Sequence, residues 1–498
     1  MGRPAAVLLL LATAALAPRP AFGEGGQGAK PPAAAPEADR EVSLAKEAVA
    51  RARKGCEAAD ANAAAGGPGP RRIALVDLAR VQEGLAAVLR RKKREPEALA
   101  VEKDLAATYA ALGDLAHATL GGAGAGAGGG KPGAFEETQP GKAAPVAPLP
   151  PSLKRPVDAA LDWLARHQGI SRGEPGWACA TFGARCEGAK CGGAGREHHD
   201  TGVTGLALLA FLGAGETHET PRHGRAVKEG LQFLVGLQDR EGCYGTREWS
   251  HFVYGHAIAA LAVAEAYRIT GSPLYRIPTR KAVSFIAACQ NPYLGWRYGV
   301  RPQESDTSVT GWMVEVLRSA AEAGEDVPEE TFLGALAWLD GVTEREHGRV
   351  GYTEKGDGPC RPQEYMDLYP ADRTEAMTGS GVHTRFLCGQ GREHPLVTKG
   401  VDLLKKCLPA WGLGSVDFYY WRFGTLAMRD AAWDEDWKAW RLATEGALIP
   451  RQVGEAGGCA RGSWDAADPW KDEGGRVYST AMAALALEAC ARPLKKGK

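Results

Sequence analysis

From Leu161 to the C-terminus the chain repeats one unit six times: a helix carrying an aromatic–aliphatic pair, a Gly/aromatic loop, then a helix rich in small residues. The clearest copies read Phe233-Leu234…Gln238…Gly242-Cys243-Tyr244, Phe285-Ile286…Gln290…Gly295-Trp296 and Trp163-Leu164…Gln168…Gly176-Trp177. A single helical hairpin cannot bury its apolar face, so self-similarity at roughly 45–70 residues marks hairpins stacked on one another. The first helices of the pairs centre on Trp163, Phe233, Phe285, Trp338, Leu404 and Leu448, and their partners begin near Asp200, Tyr254, Asp306, Thr374, Tyr419 and Tyr478. Strand-like alternation is missing from this stretch, so the fold class expected is all-α. Six hairpins also suggest closure into a ring, an α/α toroid over 153–495, because a ring removes the ends that an open solenoid has to cap.

Two of the partner helices begin almost identically, as Asp200-Thr201-Gly202-Val203-Thr204-Gly205 and Asp306-Thr307-Ser308-Val309-Thr310-Gly311. Thr374-Glu375-Ala376-Met377-Thr378-Gly379 is a looser copy. Asp or Thr at such a start can satisfy the free N–H groups of the first turn, and the following Gly lets neighbouring helices approach closely.

The rest of the chain divides by composition. Arg3 and the apolar run Ala5–Leu16, followed by Ala21-Phe22-Gly23, read as a secretory signal over 1–23. Twelve or so apolar residues are too few to span a bilayer, and no later run supplies a transmembrane segment. The expectation is an exported protein, periplasmic or extracellular. Residues 24–38 are Gly/Pro/Ala-rich and expected to be disordered. Residues 39–120 carry helical stripes through Val76, Leu78, Val81, Leu85, Val88 and Leu89, and through Leu99, Leu105, Tyr109, Leu112 and Leu115. They read as a helical hairpin or coiled-coil-like appendage. Residues 121–152 read as a Gly/Pro/Ala-rich linker. Lysine plus arginine equals aspartate plus glutamate, 60 against 60. With no net field, and no aromatic platform beside Arg90-Arg91-Lys92-Lys93-Arg94, nucleic acid is not an expected partner.

The aromatic–aliphatic–x-x-x-Gln…Gly-x-Trp/Tyr unit resembles the Gln–Trp repeat of squalene and hopene cyclases. The whole of 153–495 resembles the terpenoid-cyclase/protein-prenyltransferase toroid, and in particular secreted bacterial squalene-cyclase-like proteins with prenyltransferase/squalene-oxidase repeats. The match weakens where Thr343 and Leu408 replace the fourth and fifth Gln. The resemblance implies an outer ring of Gln-bearing helices, an inner ring of partner helices, and any ligand in the central cavity.

It also shows what is missing. The cyclases protonate an alkene with an Asp-x-Asp-Asp-Thr-Ala run, but here Ser308 and Val309 stand at the second and third of those aspartates. Serine cannot protonate an alkene, and a lone Asp lacks the coupled carboxylates that tune such an acid. The prenyltransferases use zinc held by Asp, Cys and His. Asp417-Phe418-Tyr419-Tyr420 resembles their Asp-Phe-Tyr-His stretch, with Tyr420 in place of the ligand His.

Cys179, Cys186, Cys191, His198 and His199 crowd one Gly-rich loop at spacings that match no zinc-finger pattern. Disulfides are the reading preferred for an exported chain, with free thiols and a metal as alternatives. No metal and no cofactor is expected. Eleven cysteines is an odd number, so at least one thiol is left over.

The carboxylates at inner-helix starts, Asp306, Asp200 and Glu375, are the candidate catalytic groups, with helix capping as the plainer role of the aspartates. Tyr254, His256, Tyr419, Tyr420, Trp421, Arg422 and Tyr478 are the candidate ligand-binding set, with Thr353–Arg373 as a rim loop. The function expected is a toroid that binds an apolar or carbohydrate ligand, or a protein partner, in or over its cavity. The alternative is an enzyme acting on an isoprenoid or on a polysaccharide, the latter requiring paired carboxylates.

Overall fold

The computed structural model describes residues 37–61, 68–122, 146–358, 360–370 and 373–494. The signal expected over 1–23, most of the segment 24–38 and linker residues 123–145 lie outside the described residues.

Three helices precede the ring: α1 (Glu37–Ala61), α2 (Pro68–Arg91) and α3 (Glu95–Gly122). The middle one packs against both others, so the appendage is a three-helix unit where a hairpin was expected. Its core is Val42, Val49, Leu75, Leu78, Leu85, Leu89 and Leu112. Leu99 does not join this core; it is 58% exposed.

Twelve helices then alternate. The outer ones are α4 (Pro151–Arg166), α6 (Gly224–Gly236), α8 (Pro273–Cys289), α10 (Glu329–Val342), α12 (Pro395–Leu404) and α14 (Asp434–Leu448). The inner ones are α5 (Asp200–Gly213), α7 (Phe252–Thr270), α9 (Thr307–Glu322), α11 (Ala376–Leu387), α13 (Phe418–Ala431) and α15 (Gly475–Cys490). Each inner helix packs against the next, and α15 packs back against α5. Each outer helix lies across two consecutive inner ones, and α4 bridges α15 and α5. The ring is closed, and the protein is an all-α toroid of six hairpins. The inner helices are buried almost all round, which their Ala, Gly and Leu content allows.

The repeated residues are the joints of this ring. Gln168 Nε2 donates to the Ala226 carbonyl, Gln238 to Pro278, Gln290 to Thr331 and Gln452 to Pro156, each reaching the next outer helix, and the last returns to the first. The indole N–H of Trp177, Trp296 and Trp464 donates to the Leu164, Ile286 and Leu448 carbonyls of its own outer helix. The backbone N–H groups of Trp177, Trp296, Val350 and Trp464 donate to Thr204, Thr310, Thr378 and Thr480 of the inner helices. These bonds satisfy the buried indole and backbone N–H groups they involve and tie consecutive repeats together.

One small sheet interrupts the helices, where none was expected. Gly169–Ser171 pairs with Glu174–Gly176 across Arg172 and Gly173, both at positive φ, a geometry that suits a two-residue hairpin turn. No helix among the described residues is long and apolar enough to cross a membrane.

Candidate functional site

The inner helices start on one face of the ring, and there they leave a cavity of about 730 Å³. Its floor is apolar: Val203 and Leu206 of α5, Ile258 of α7 and Trp312 of α9. Below Trp312 lies Arg422, which also lines a second cavity of about 260 Å³ toward the other end of the ring. The Arg422 guanidinium lies 4.3 Å from the Trp312 ring centre and 4.7 Å from that of Phe423. Tyrosines form the walls. Tyr419 shares a hydrogen bond of 2.9 Å with Ser308, Tyr298 and Tyr352 share one between hydroxyls, and the Tyr254 hydroxyl lies 3.7 Å from Cys360 Sγ. The buried Tyr478 hydroxyl has no hydrogen-bond partner among the described residues.

The rim carries cations and imidazoles. Trp249 packs on His198, His199 and His251, at 4.3, 4.7 and 4.8 Å between ring centres, and His251 packs on Tyr298 at 3.8 Å. His199 Nε2 and Glu473 Oε2 are 2.8 Å apart, and this bond holds the Glu473 carboxyl below the usual carboxylate range. Burial and the neighbouring His199 hold His198 below the usual imidazole value. Arg297 lies over Tyr298 and Tyr352.

Asp306 stands behind this wall. One carboxyl oxygen accepts from the Val309 N–H, capping α9, and the other is buried with no hydrogen-bond partner among the described residues, Arg297 Nε lying 3.9 Å from it. Burial pushes the group up to about 7, against the opposing pull of Val309 and of Arg297 at 3.9 Å. Asp417 likewise caps α13 through the Tyr420 N–H and pairs with Arg361 of the rim loop. Next to it Asp468 is pushed up to about 8 by burial and by the Asp417 charge.

The residues singled out in the sequence separate. Tyr254, Tyr419 and Tyr478 line the cavity; His256, Tyr420, Trp421 and Arg422 do not. His256 is buried toward the outer ring, where Nδ1 accepts from the Tyr244 N–H, the place that threonine takes in other repeats. The Tyr420 hydroxyl donates to the Cys407 carbonyl and its ring packs edge-on against Trp440 of α14. Trp421 packs between Trp411 and Phe418. Arg422 makes a bidentate pair with Glu315 at 2.6 and 2.9 Å, beside the buried His383–Asp430 contact of 2.8 Å, toward the opposite end of the ring. Asp200 accepts from Ser171 and from the Cys179 N–H, tying a loop rather than facing the cavity. Glu375 is held by Arg349 at 2.6 Å and by Thr378 at 2.7 Å. The carboxylates expected to converge are thus each engaged apart.

Sequence reasoning missed Trp249, His251, Arg297, Tyr298 and Tyr352. A positional signal existed: Tyr298 and Tyr352 each stand two residues beyond the position that hydrogen-bonds the inner-helix threonine, Trp296 and Val350. The loop group Cys179, Cys186, Cys191, His198 and His199 also divides. The histidines join Glu473 at the rim, Cys179 is fully buried under Asp200, and Cys186 and Cys191 lie beside His167, away from the cavity. No disulfide joins cysteines among the described residues. Three groups among them offer converging metal donors: His198–His199–Glu473 on the rim, Glu344–Glu346–His347 on the surface, and His167–Cys186–Cys191–Cys459 at the ring seam.

No family model matches the chain, and no curated protein matches it by sequence. Among solved structures it is similar to an inactive variant of the α-1,6-mannanase GH76A of Salegentibacter sp. HEL1_6, in complex with α-1,6-mannotriose. That match has a TM-score of 0.47 and 14% identity, covering 68% of this chain and 99% of that one. It is also similar to the type II terpene cyclase MstE from Scytonema, with a TM-score of 0.44 and 13% identity, covering 68% and 97%. These likenesses supply no correspondence between individual residues.

Proposed function

We propose that the protein is an exported binding toroid whose cavity takes an amphiphile, a ligand with an apolar body and an anionic head. The observation that carries this reading is the grading of one cavity of about 730 Å³, from the floor of Val203, Leu206, Ile258 and Trp312 to a polar rim of Arg196, Arg297 and three histidines, where Arg196 pairs with Glu473 and Arg297 with Glu304. Concave apolar sites of this size with a few convergent polar groups suit small molecules. The unpartnered Tyr478 hydroxyl is a further group for a ligand to satisfy.

The two enzymatic readings have less behind them. A carboxyl at about 7, as in Asp306, is far too weak an acid to protonate an alkene. Hydrolysis of a polysaccharide needs two carboxylates facing one bond; Asp200 and Glu375 are both engaged elsewhere, and of the two carboxylates that line the cavity, Glu248 and Glu473, the latter is held by His199.

The test is native mass spectrometry of the full chain purified from the exported fraction of its own host, followed by lipid and glycan analysis of whatever is released. An anionic amphiphile should co-purify. Filling the floor with Ile258→Trp, or removing the head contact with Arg297→Ala, should each weaken its binding at least tenfold. Ligand-free protein with no affinity for such amphiphiles, or binding indifferent to both variants, overturns the reading.

A further inference from the structure

The first and last repeats meet at a cluster that neither repeat contains alone. His167 ends the first outer helix, Cys186 and Cys191 lie in the following loop, and Cys459 belongs to the sixth repeat. Their four donor atoms lie within 4.8 Å of one another. His167 Nε2 is 3.4 Å from Cys459 Sγ, 3.5 Å from Cys186 Sγ and 3.6 Å from Cys191 Sγ. A tetrahedral zinc ion with Zn–S of about 2.3 Å and Zn–N of about 2.0–2.1 Å sets N···S edges of about 3.5–3.6 Å. The three edges agree with that figure to within about 0.2 Å.

The surroundings suit ligation as well. His167 Nδ1 lies 2.9 Å from the Trp163 carbonyl, so it is the protonated nitrogen and Nε2 keeps its lone pair toward the sulfurs. The ring is stacked on Trp163 at 4.3 Å and 22°, which fixes its orientation. Backbone N–H groups point at two of the sulfurs: Cys191 N at 3.2 Å from Cys186 Sγ, and Glu187 N at 3.3 Å from Cys459 Sγ. Such donors stabilise thiolates. None of the four residues lines the cavity.

We propose that His167, Cys186, Cys191 and Cys459 bind one zinc ion that clasps the first repeat of the toroid to the last. Four protein donors close the coordination shell, so the site is structural rather than catalytic. Soft thiolates with one imidazole in tetrahedral array select zinc over the hard divalent ions. The clasp acts with Gln452, which reaches the Pro156 carbonyl, and with Arg166, whose guanidinium donates to the Arg461 carbonyl across the same seam.

Elemental analysis of the full chain, purified without chelator, tests the clasp. About one zinc per chain is expected, and cobalt exchanged into the unaltered protein should show thiolate charge-transfer and intense tetrahedral d–d bands. Cys186, Cys191 and Cys459 should resist alkylation together and become reactive together when a chelator strips the metal, with a lowered melting temperature. Cys459→Ser should reduce bound zinc to background, whereas Cys56→Ser in the appendage should retain it. Three results each overturn the proposal: apo protein that takes up no zinc or cobalt, zinc retained in the Cys186→Ser/Cys459→Ser double variant, or peptide mapping of the host-derived protein that finds two of these cysteines joined as a disulfide.

Discussion

Asp306 and His256 are both buried ionisable groups, and they bend the stability profile in opposite directions. Asp306 holds its proton up to about pH 7 in the folded chain, whereas the unfolded carboxyl releases it near 3.8. The unfolded state therefore binds fewer protons between those values, and the contribution of Asp306 to stability is complete below about pH 4 and declines as pH rises toward 7. Asp306→Asn keeps an acceptor for the Val309 N–H and removes that decline. Its melting temperature should exceed the parent's at pH 8, with the difference closing by pH 4; an equal difference at both values rejects this account. His256 is held down to about 3 by burial, with Asp239 and Arg247 as the nearby charges. Its contribution is present above the unfolded value of 6.5 and is lost as pH falls toward 3, by about 1.4 kcal/mol per pH unit. His256→Thr restores the acceptor other repeats use for that N–H. It should flatten the loss between pH 6.5 and 4 in denaturant titrations, even if the smaller side chain lowers stability at pH 7. Both residues were visible in the sequence. What was hidden is that His256 is repeat machinery rather than ligand machinery, because its partner, the Tyr244 N–H, belongs to a loop whose path only the fold defines.

At the scale of elements, the Asp-Thr-x-Val-Thr-Gly starts were the legible part, and each letter has a structural task. The Thr oxygen receives the N–H of the repeat's aromatic position, and the Gly admits the next inner helix. A Cβ on Gly205 would stand 2.9 Å from the Ile258 backbone, whereas one on Gly202 would meet nothing nearer than 3.4 Å. Gly205→Ala should thus cost about 1–3 kcal/mol through overpacking. Gly202→Ala should be near neutral or slightly stabilising, since Ala is the better helix former. Equal losses in chemical denaturation would contradict the close crossing of α5 and α7. The run Tyr419-Tyr420-Trp421-Arg422 shows why the site was less legible than the fold. Successive helical residues turn by about 100°, so four neighbours cannot share one face. Tyr419 meets Ser308 at the cavity, Tyr420 and Trp421 pack away from it, and Arg422 joins the network toward the other end of the ring. Treating the run as one rim ignored that rotation.

At the scale of the molecule, the count of repeats was readable, and closure followed from it as an expectation. The residues that make the closure were not, since Gln452 and Pro156 are 296 positions apart and Cys459 and His167 are 292 apart. No local pattern couples such positions. Two deletions distinguish what the appendage contributes from what ring closure contributes. The chain beginning at residue 146 keeps every inner–inner contact and should melt in one cooperative transition like the full protein, although Tyr293 and α10 lose neighbours in the appendage. The chain ending at Leu448 lacks α15 and uncovers the flanks of both α5 and α13. It should show no cooperative melt by circular dichroism and should aggregate. A cooperative transition in this shorter chain would mean that the ring does not depend on closure.

The seam also has a consequence in time. Gln452 and Cys459 are synthesised 296 and 292 residues after Pro156 and His167, so the first hairpin waits with one flank uncovered. Joining ends about 290 residues apart carries a loop-closure entropy of order 5 kcal/mol if nothing lies between them. Intervening repeats that fold first into a curved arc would bring the ends near each other and so reduce that cost. Closure would then be the final event, and the open arc before it, with two bare edges, would be the species most exposed to pairing with another copy of itself.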